Sequence, residues 1–348
     1  MDFVTNTKTA LVTGGAGFIG SYIAKELINL NYNVIILDDL SGGFISNLPD
    51  KAVFINGSIL NEELVKHIFK KFNIDYVFHI AAYAAEGLSH FIRKYNYENN
   101  LIGSINLINE SIKANIKCFV FTSSIAVYGE GQAPFKEDTI PKPEDPYGIA
   151  KIAVEMDLAN AHRIFGLNYI IFRPHNVYGE NQNIGDKYRN VIGIFMNRIM
   201  NHQSIPIFGD GEQTRAFSYI ADVAVPIARS IEIKEAYNQI FNIGGDIPYN
   251  IKFLAELIKE KLGSTVEIEY LEARNEVLHA FADHSKAKKI FEKYIYNIPI
   301  EVGITRMAKW ALSVGSMRPS VFENIEIEKN LPPSWKKQIE DQSLEIEN

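Results

Sequence analysis

The stretch Thr13 to Gly20, TGGAGFIG, follows a short β-branched apolar run, Thr9–Val12, and opens a helical pattern, with glycines at 14, 17 and 20. Strand, glycine turn and helix in that order let the backbone approach a pyrophosphate closely, with the helix amino terminus facing the negative charge. A Cβ at the glycines would obstruct the turn or the packing of helix on strand. Gly14, Gly17, Phe18, Ile19 and Gly20 are therefore the first cofactor-binding candidates. The next apolar run, Val34–Leu37, ends in Asp38-Asp39. An acid at this place accepts hydrogen bonds from ribose hydroxyls and repels a 2′-phosphate. No arginine lies in Ser41–Asp50 to pair with such a phosphate, so the residues favour NAD over NADP.

Outward from this loop, short buried-type runs alternate with helical patterns: Val53–Ile55, Tyr76–His79, Cys118–Thr122 and Tyr169–Phe172 read as further strands. Buried strands separated by helices are the sequence form of right-handed βαβ crossovers. The expected fold is α/β, a Rossmann-type doubly wound parallel sheet. After Gly179 the alternation loosens: a helix is expected near Asn190–Met200, and a loop at Phe208–Arg215 ahead of Phe217–Ile220. Ile240–Ile243 reads as one more strand able to rejoin the sheet, followed by helix Ile251–Lys261 and strand Val266–Tyr270. The expected division is 1–179, with 216–245 rejoining it, as the cofactor domain, and 180–215 with 246–312 as a smaller, discontinuous α/β substrate domain. Residues 313–348, with adjacent prolines and alternating charges, are expected to be a packed-down or partly mobile tail.

The 348 residues carry a formal charge of -7, which excludes the basic face that a nucleic-acid surface needs. One cysteine, Cys118, excludes an intramolecular disulfide framework and a cysteine-rich metal site, and the histidines lack metal-ligand spacing. No run approaches the ~18 apolar residues of a membrane span, and the first residues lack the pattern of a secretory leader. A cytoplasmic enzyme is expected.

FTSSIAVYG places Ser124 just past the strand Cys118–Thr122, at the edge where ligands of open α/β sheets bind. PYGIAK follows, with Tyr147 and Lys151 at i and i+4 of a helix expected over Asp145–Phe165. A nearby ammonium favours the phenolate, so Tyr147 suits a general base, Lys151 its activator, and Ser124 the group that orients a substrate hydroxyl for hydride loss.

With these motifs together the sequence resembles the extended short-chain dehydrogenase/reductase family, in its nucleotide-sugar epimerase and dehydratase branch, and is most similar to UDP-glucose 4-epimerases. HIAAYAA (79–85), NNLIGSINL (99–107), FRPHNVYG (172–179) and GDGEQTRAFSYIADV (209–223) carry the likeness as well. The resemblance implies that Ala81 and Ala82 line the cofactor, that Lys151 also contacts its ribose, that Asn176 touches a sugar nucleotide, and that Arg215 clamps its diphosphate. It implies a homodimer through the helices near Phe91–Ala114 and Tyr147–Phe165. In GSIL (57–60), Ser58, where the family commonly has Asp, and Ile59 fall in the adenine loop. Arg274 stands one position from a common diphosphate arginine, and Ala280 falls where some epimerases carry a bulkier residue beside the sugar. Related 4,6-dehydratases carry an Asp-Glu pair where this chain has Ile125-Ala126, which argues against water elimination. The expected reaction is 4-epimerisation through a 4-keto sugar. A nucleotide-sugar 4-oxidase or 4-ketosugar reductase uses the same centre and stays open, as does an NAD-sensing protein without turnover.

Overall fold

The computed structural model describes residues 7–336 apart from 132, 187, 189, 274–278, 319–321, 323, 333 and 334. The chain begins with β1 (Thr9–Thr13), α1 (Phe18–Asn29), β2 (Asn33–Asp38), β3 (Val53–Asn56), α2 (Glu62–Lys71) and β4 (Tyr76–His79). A short α3 (Glu86–Ser89) and α4 (Arg93–Tyr97) lead through one π turn, Glu98–Ile102, into α5 (Gly103–Lys113). β5 (Cys118–Thr122), α6 (Pro146–Phe165) and β6 (Tyr169–Pro174) follow. Then come β7 (Val177–Tyr178), α7 (Val191–Met200), β8 (Ile205–Phe208), β9 (Thr214–Ala216), β10 (Ser218–Tyr219), α8 (Ile220–Arg229) and β11 (Gln239–Ile243). The remainder is β12 (Pro248–Asn250), α9 (Ile251–Lys261), β13 (Ile268–Leu271), β14 (His279–Ala280), α10 (Ser285–Ile290) and α11 (Ile300–Val314).

Seven strands form one sheet in the order β11-β6-β5-β4-β1-β2-β3, every neighbouring pair parallel. This is the doubly wound sheet expected from the alternation of strands and helices. Side chains of β1 show how both faces are covered: Ala10 and Val12 pack into one core layer with Ile23 and Leu27 of α1, and Leu11 into the other with Val154 and Leu158 of α6. Period-two alternation on a sheet buried on both sides explains the unbroken apolar runs. The strand order reverses between β1 and β4, which opens a crevice above their carboxyl ends.

Helix boundaries follow local chemistry. Asp145 caps α6 by accepting from the Gly148 N–H at 2.9 Å, Pro146 occupies the first turn, and Gly166 closes the helix in the left-handed conformation. β11 joins the sheet beside β6, in register from Gln239 opposite Ile170 to Ile243 opposite Pro174. The expected loop 208–215 ends earlier than anticipated, because Thr214–Ala216 is a strand held between β12 and β14. α11 runs to Val314, and beyond it the Phe322, Ile325 and Trp335 side chains pack against the cluster of Ala85, Leu88 and Ile92. Isolated aromatic anchors of this kind leave no period in the sequence.

Candidate active site

The glycine loop turns at Gly14, whose φ of 70° is costly for any side chain. A Cβ there would lie 2.7 Å from the Ala81 backbone nitrogen, and one on Gly20 would lie 2.1 Å from the Gly14 carbonyl oxygen. Glycine thus lets β1, β4 and α1 meet. Asp38 accepts from the Ala16 N–H at 2.9 Å and the Leu40 N–H at 2.8 Å, which fixes its carboxylate at the end of β2. Burial raises its pKa and these backbone donors work against that rise.

A cleft of about 850 Å³ runs across the carboxyl ends of the strands. Gly14, Gly17, Phe18, Ile19, Gly20, Asp38, Ile59, Ala81, Ala82, Ser124, Tyr147, Lys151, Asn176 and Arg215 all line it, so the structure brings these expected residues to one surface. Ser58 is not among the lining residues; its hydroxyl accepts from the Leu60 N–H at 3.2 Å, so it shapes the turn between Gly57 and Ile59. Arg274 and the side chain of Ala280 lie outside the described residues. Gly14, Gly17 and Gly20 face the cleft beside Asp38, as a pyrophosphate and a ribose require. Thr122 Oγ1 and Gln182 Oε1, also in its wall, are buried without a hydrogen-bond partner among the described residues. The site fits a dinucleotide.

At the reactive end, Ser124 follows β5 and caps the turn Ile125–Val127, its Oγ accepting from the Ala126 N–H at 3.1 Å. Tyr147 and Lys151 project from the first turns of α6, and Lys151 Nζ lies 5.7 Å from the Tyr147 ring centre. Lys151 is 2% exposed and donates to the Thr122 carbonyl at 2.8 Å. Its burial brings the ammonium down to about 7, partly offset by Glu155. Asn176, in the left-handed conformation that asparagine tolerates, donates through Nδ2 to the Ala216 carbonyl at 3.0 Å. Arg215 donates through Nη1 to the Thr214 carbonyl at 2.9 Å.

His79, read from sequence as more core than catalytic, is buried between Thr13 Oγ1 and Ser104 Oγ, each 2.8 Å away, and is held neutral by burial, at about 3. His175 also faces the cleft and bonds to His284.

Two groups escaped the sequence reading. Behind the site, Glu155 and Arg173 form a buried pair at 2.5 Å; Glu155 accepts from Ser123 Oγ and Arg173 donates to Tyr128. Glu155 stands one helical turn past Lys151, so the periodicity of α6 held a signal for it. Glu86 also lines the cleft, one residue beyond the HIAAYAA motif, and nothing in its local sequence marked it.

The profile of the NAD dependent epimerase/dehydratase family matches residues 10–244. The structure of UDP-glucose 4-epimerase from Thermotoga maritima, solved with UDP-glucose, superposes with a TM-score of 0.83 at 36% identity, covering 88% of this chain and 99% of that one. UDP-N-acetylglucosamine 4-epimerase from Methanobrevibacter ruminantium M1, in complex with UDP-N-acetylmuramic acid, gives 0.83 at 34% identity with the same coverage, 88% and 99%. A UDP-glucuronate 4-epimerase of Thermodesulfobacterium geofontis is 30% identical over 92% of this chain and 98% of its own length. Among the described residues no helix is long and apolar enough to cross a membrane, and no group of His, Cys, Asp and Glu could hold a metal ion.

Proposed function

Because the chain belongs to the NAD dependent epimerase/dehydratase family, whose cofactor is NAD, we propose that it is a nucleotide-sugar 4-epimerase of the UDP-glucose/UDP-galactose type. The observation that carries this reading is the single cleft that joins the glycine loop, the Ser124, Tyr147 and Lys151 centre, and Asn176 with Arg215. Its lining beside Ser124 is Ile125 and Ala126, which have no proton to give or take for elimination.

In this reading Gly14 to Gly20 and Asp38 hold NAD, and Arg215 and Asn176 hold the diphosphate end of the sugar nucleotide. When bound, NAD supplies the hydride acceptor and donor at C4. Tyr147 removes the proton of the C4 hydroxyl, and Ser124 orients that hydroxyl with its Oγ. Lys151 stabilises the phenolate. The resulting 4-keto sugar turns over while its diphosphate stays anchored, and Tyr147 returns the proton as C4 is reduced on the opposite face. Residues 1–179 with 216–245 serve the cofactor in this scheme, and 180–215 with 246–312 serve the sugar nucleotide.

A homodimer through α6 is part of the proposal. Ile149 and Met156, two turns apart on α6, are 40% and 68% exposed, and Ile102, on the π turn that packs against α6, is 49% exposed. Apolar side chains at this spacing suit a helix-to-helix contact.

The experiment is proton NMR of the purified protein with UDP-glucose and no added cofactor. Interconversion of UDP-glucose and UDP-galactose is expected. Turnover that requires external NAD, or a net 4-keto or reduced product, would replace this reading by the 4-oxidase or 4-ketosugar reductase. Tyr147→Phe is expected to lower kcat by about 10²–10⁴ with NAD binding unchanged. Absence of turnover in the unaltered protein with NAD bound would favour a sensing protein.

A further inference from the structure

The relatives take sugars that differ in charge, and a carboxylate in the cleft bears on that choice. Glu86 opens α3 and faces the cleft. Among the described residues its carboxylate accepts no hydrogen bond and makes no ion pair. α3 is fastened to the reactive end: Ser89 Oγ donates to the Glu86 carbonyl at 2.6 Å and accepts from the Tyr147 N–H at 3.3 Å. The carboxylate is within electrostatic reach of Asp145, which caps α6, and of Arg215 on β9. Tyr147 is the expected base at C4 and Arg215 the expected diphosphate clamp. A hexose joined to the diphosphate through C1, with C4 at Tyr147, lies between them, and Glu86 is near both.

We infer that Glu86 sets the class of sugar, by facing the hexose with a carboxylate that accepts hydrogen bonds from neutral hydroxyl groups and repels a uronic-acid carboxylate. This rests on the nucleotide-sugar reading of the cleft. Its size follows from the surroundings. Glu86 is exposed at the cleft, where desolvation and the Asp145 carboxylate raise its pKa and Arg215 lowers it. His90, at the end of α3, faces Asp145 and moderates that second charge. A bound uronate can avoid the repulsion by forcing a proton onto Glu86. At pH 8 this protonation weakens the binding of a uronate and leaves that of a neutral hexose unaffected.

The test is kcat/KM for UDP-glucose and UDP-glucuronate at pH 8, in the unaltered protein and in Glu86→Gln. Binding of both nucleotides is measured alongside by calorimetry. The unaltered protein is expected to prefer UDP-glucose, and Glu86→Gln to shrink the preference severalfold, mainly by improving UDP-glucuronate. Gln keeps the shape and a hydrogen-bonding oxygen, and an unchanged melting temperature with NAD shows that the fold is intact. Preference for UDP-glucuronate in the unaltered protein, or a ratio that Glu86→Gln leaves unmoved, overturns the inference. If neither sugar is epimerised, the functional reading fails separately, and the calorimetric ratio still decides the role of Glu86. Should neither nucleotide bind, both fail together.

Discussion

The Nε2 atoms of His175 and His284 lie 2.9 Å apart, and their other nitrogens decide which one carries the proton between them. His175 Nδ1 is 3.1 Å from the Ala216 carbonyl, which can only accept, so this nitrogen holds a proton. Burial and the neighbouring His284 keep His175 neutral, at about 3, and its Nε2 is therefore an acceptor. His284 must donate from Nε2. Its Nδ1 faces Asp246 Oδ1 at 2.7 Å, and that carboxyl is held down to about 2, first by the His284 hydrogen bond. Through its two ring nitrogens His284 links β6, the segment after β11 and the start of α10.

The expected consequence is that the two rings act as one hydrogen-bonded chain anchored on Asp246. Asp246→Asn should lower the melting temperature by a few degrees, about 1 kcal/mol once partial exposure of the carboxylate is discounted. Because the folded pKa of Asp246 is depressed from 3.8 to about 2, its contribution is present above 3.8 and lost as pH falls toward 2. Two-state acid unfolding with an unshifted midpoint in Asp246→Asn would count against this.

Lys151 predicts a slope of the same sign in a higher pH window. Its pKa falls from 10.5 to about 7 on folding, so between these values the unfolded chain binds a proton that the folded chain does not. Stability of the cofactor-free protein from this group accordingly rises with pH across 7 to 10.5. Denaturant midpoints taken through that window should lose this rise in Lys151→Met, which should also lose turnover. A slope that survives the substitution would place its origin elsewhere.

Glu155 and Arg173 are both under 4% exposed, and each leaves the other uncompensated when removed. Arg173→Met is expected to cost about 3–5 kcal/mol in urea denaturation. Because the charges are coupled, Arg173→Met with Glu155→Gln should cost less than the two changes summed. Simple additivity would argue that the pair does not share one desolvated environment.

Met156→Glu, on the exposed face of α6, should convert the proposed dimer to a monomer in sedimentation velocity without altering the fold. If the unaltered protein already sediments as a monomer, the exposed Ile149 and Met156 have another explanation.

Much of the architecture was legible in sequence because it depends on neighbours along the chain. The runs that became β1, β2, β4 and β5 carried their own apolar pattern, and the α6 spacing of Tyr147 and Lys151 put both on one helical face. Asp38 was legible for the same reason, as the residue that ends β2 beside the glycine loop. Ser58, expected at the adenine, accepts from the Leu60 N–H within its own turn, a bond that no sequence pattern marks. The tail carried no period because Phe322 and Trp335 anchor it singly.

By itself, then, the sequence determined the doubly wound sheet, the glycine loop with Asp38 and the composition of the Ser124, Tyr147 and Lys151 centre. Backbone geometry and helical period act over a few residues and leave their mark in order. Only the tertiary structure decided that Glu86 sits near Arg215, that His175 meets His284, and that Arg173 pairs with Glu155. These pairings join segments whose approach is set by how the sheet and the elements around it pack. Their charges are also meaningful only once burial has removed water, and no stretch of sequence records that.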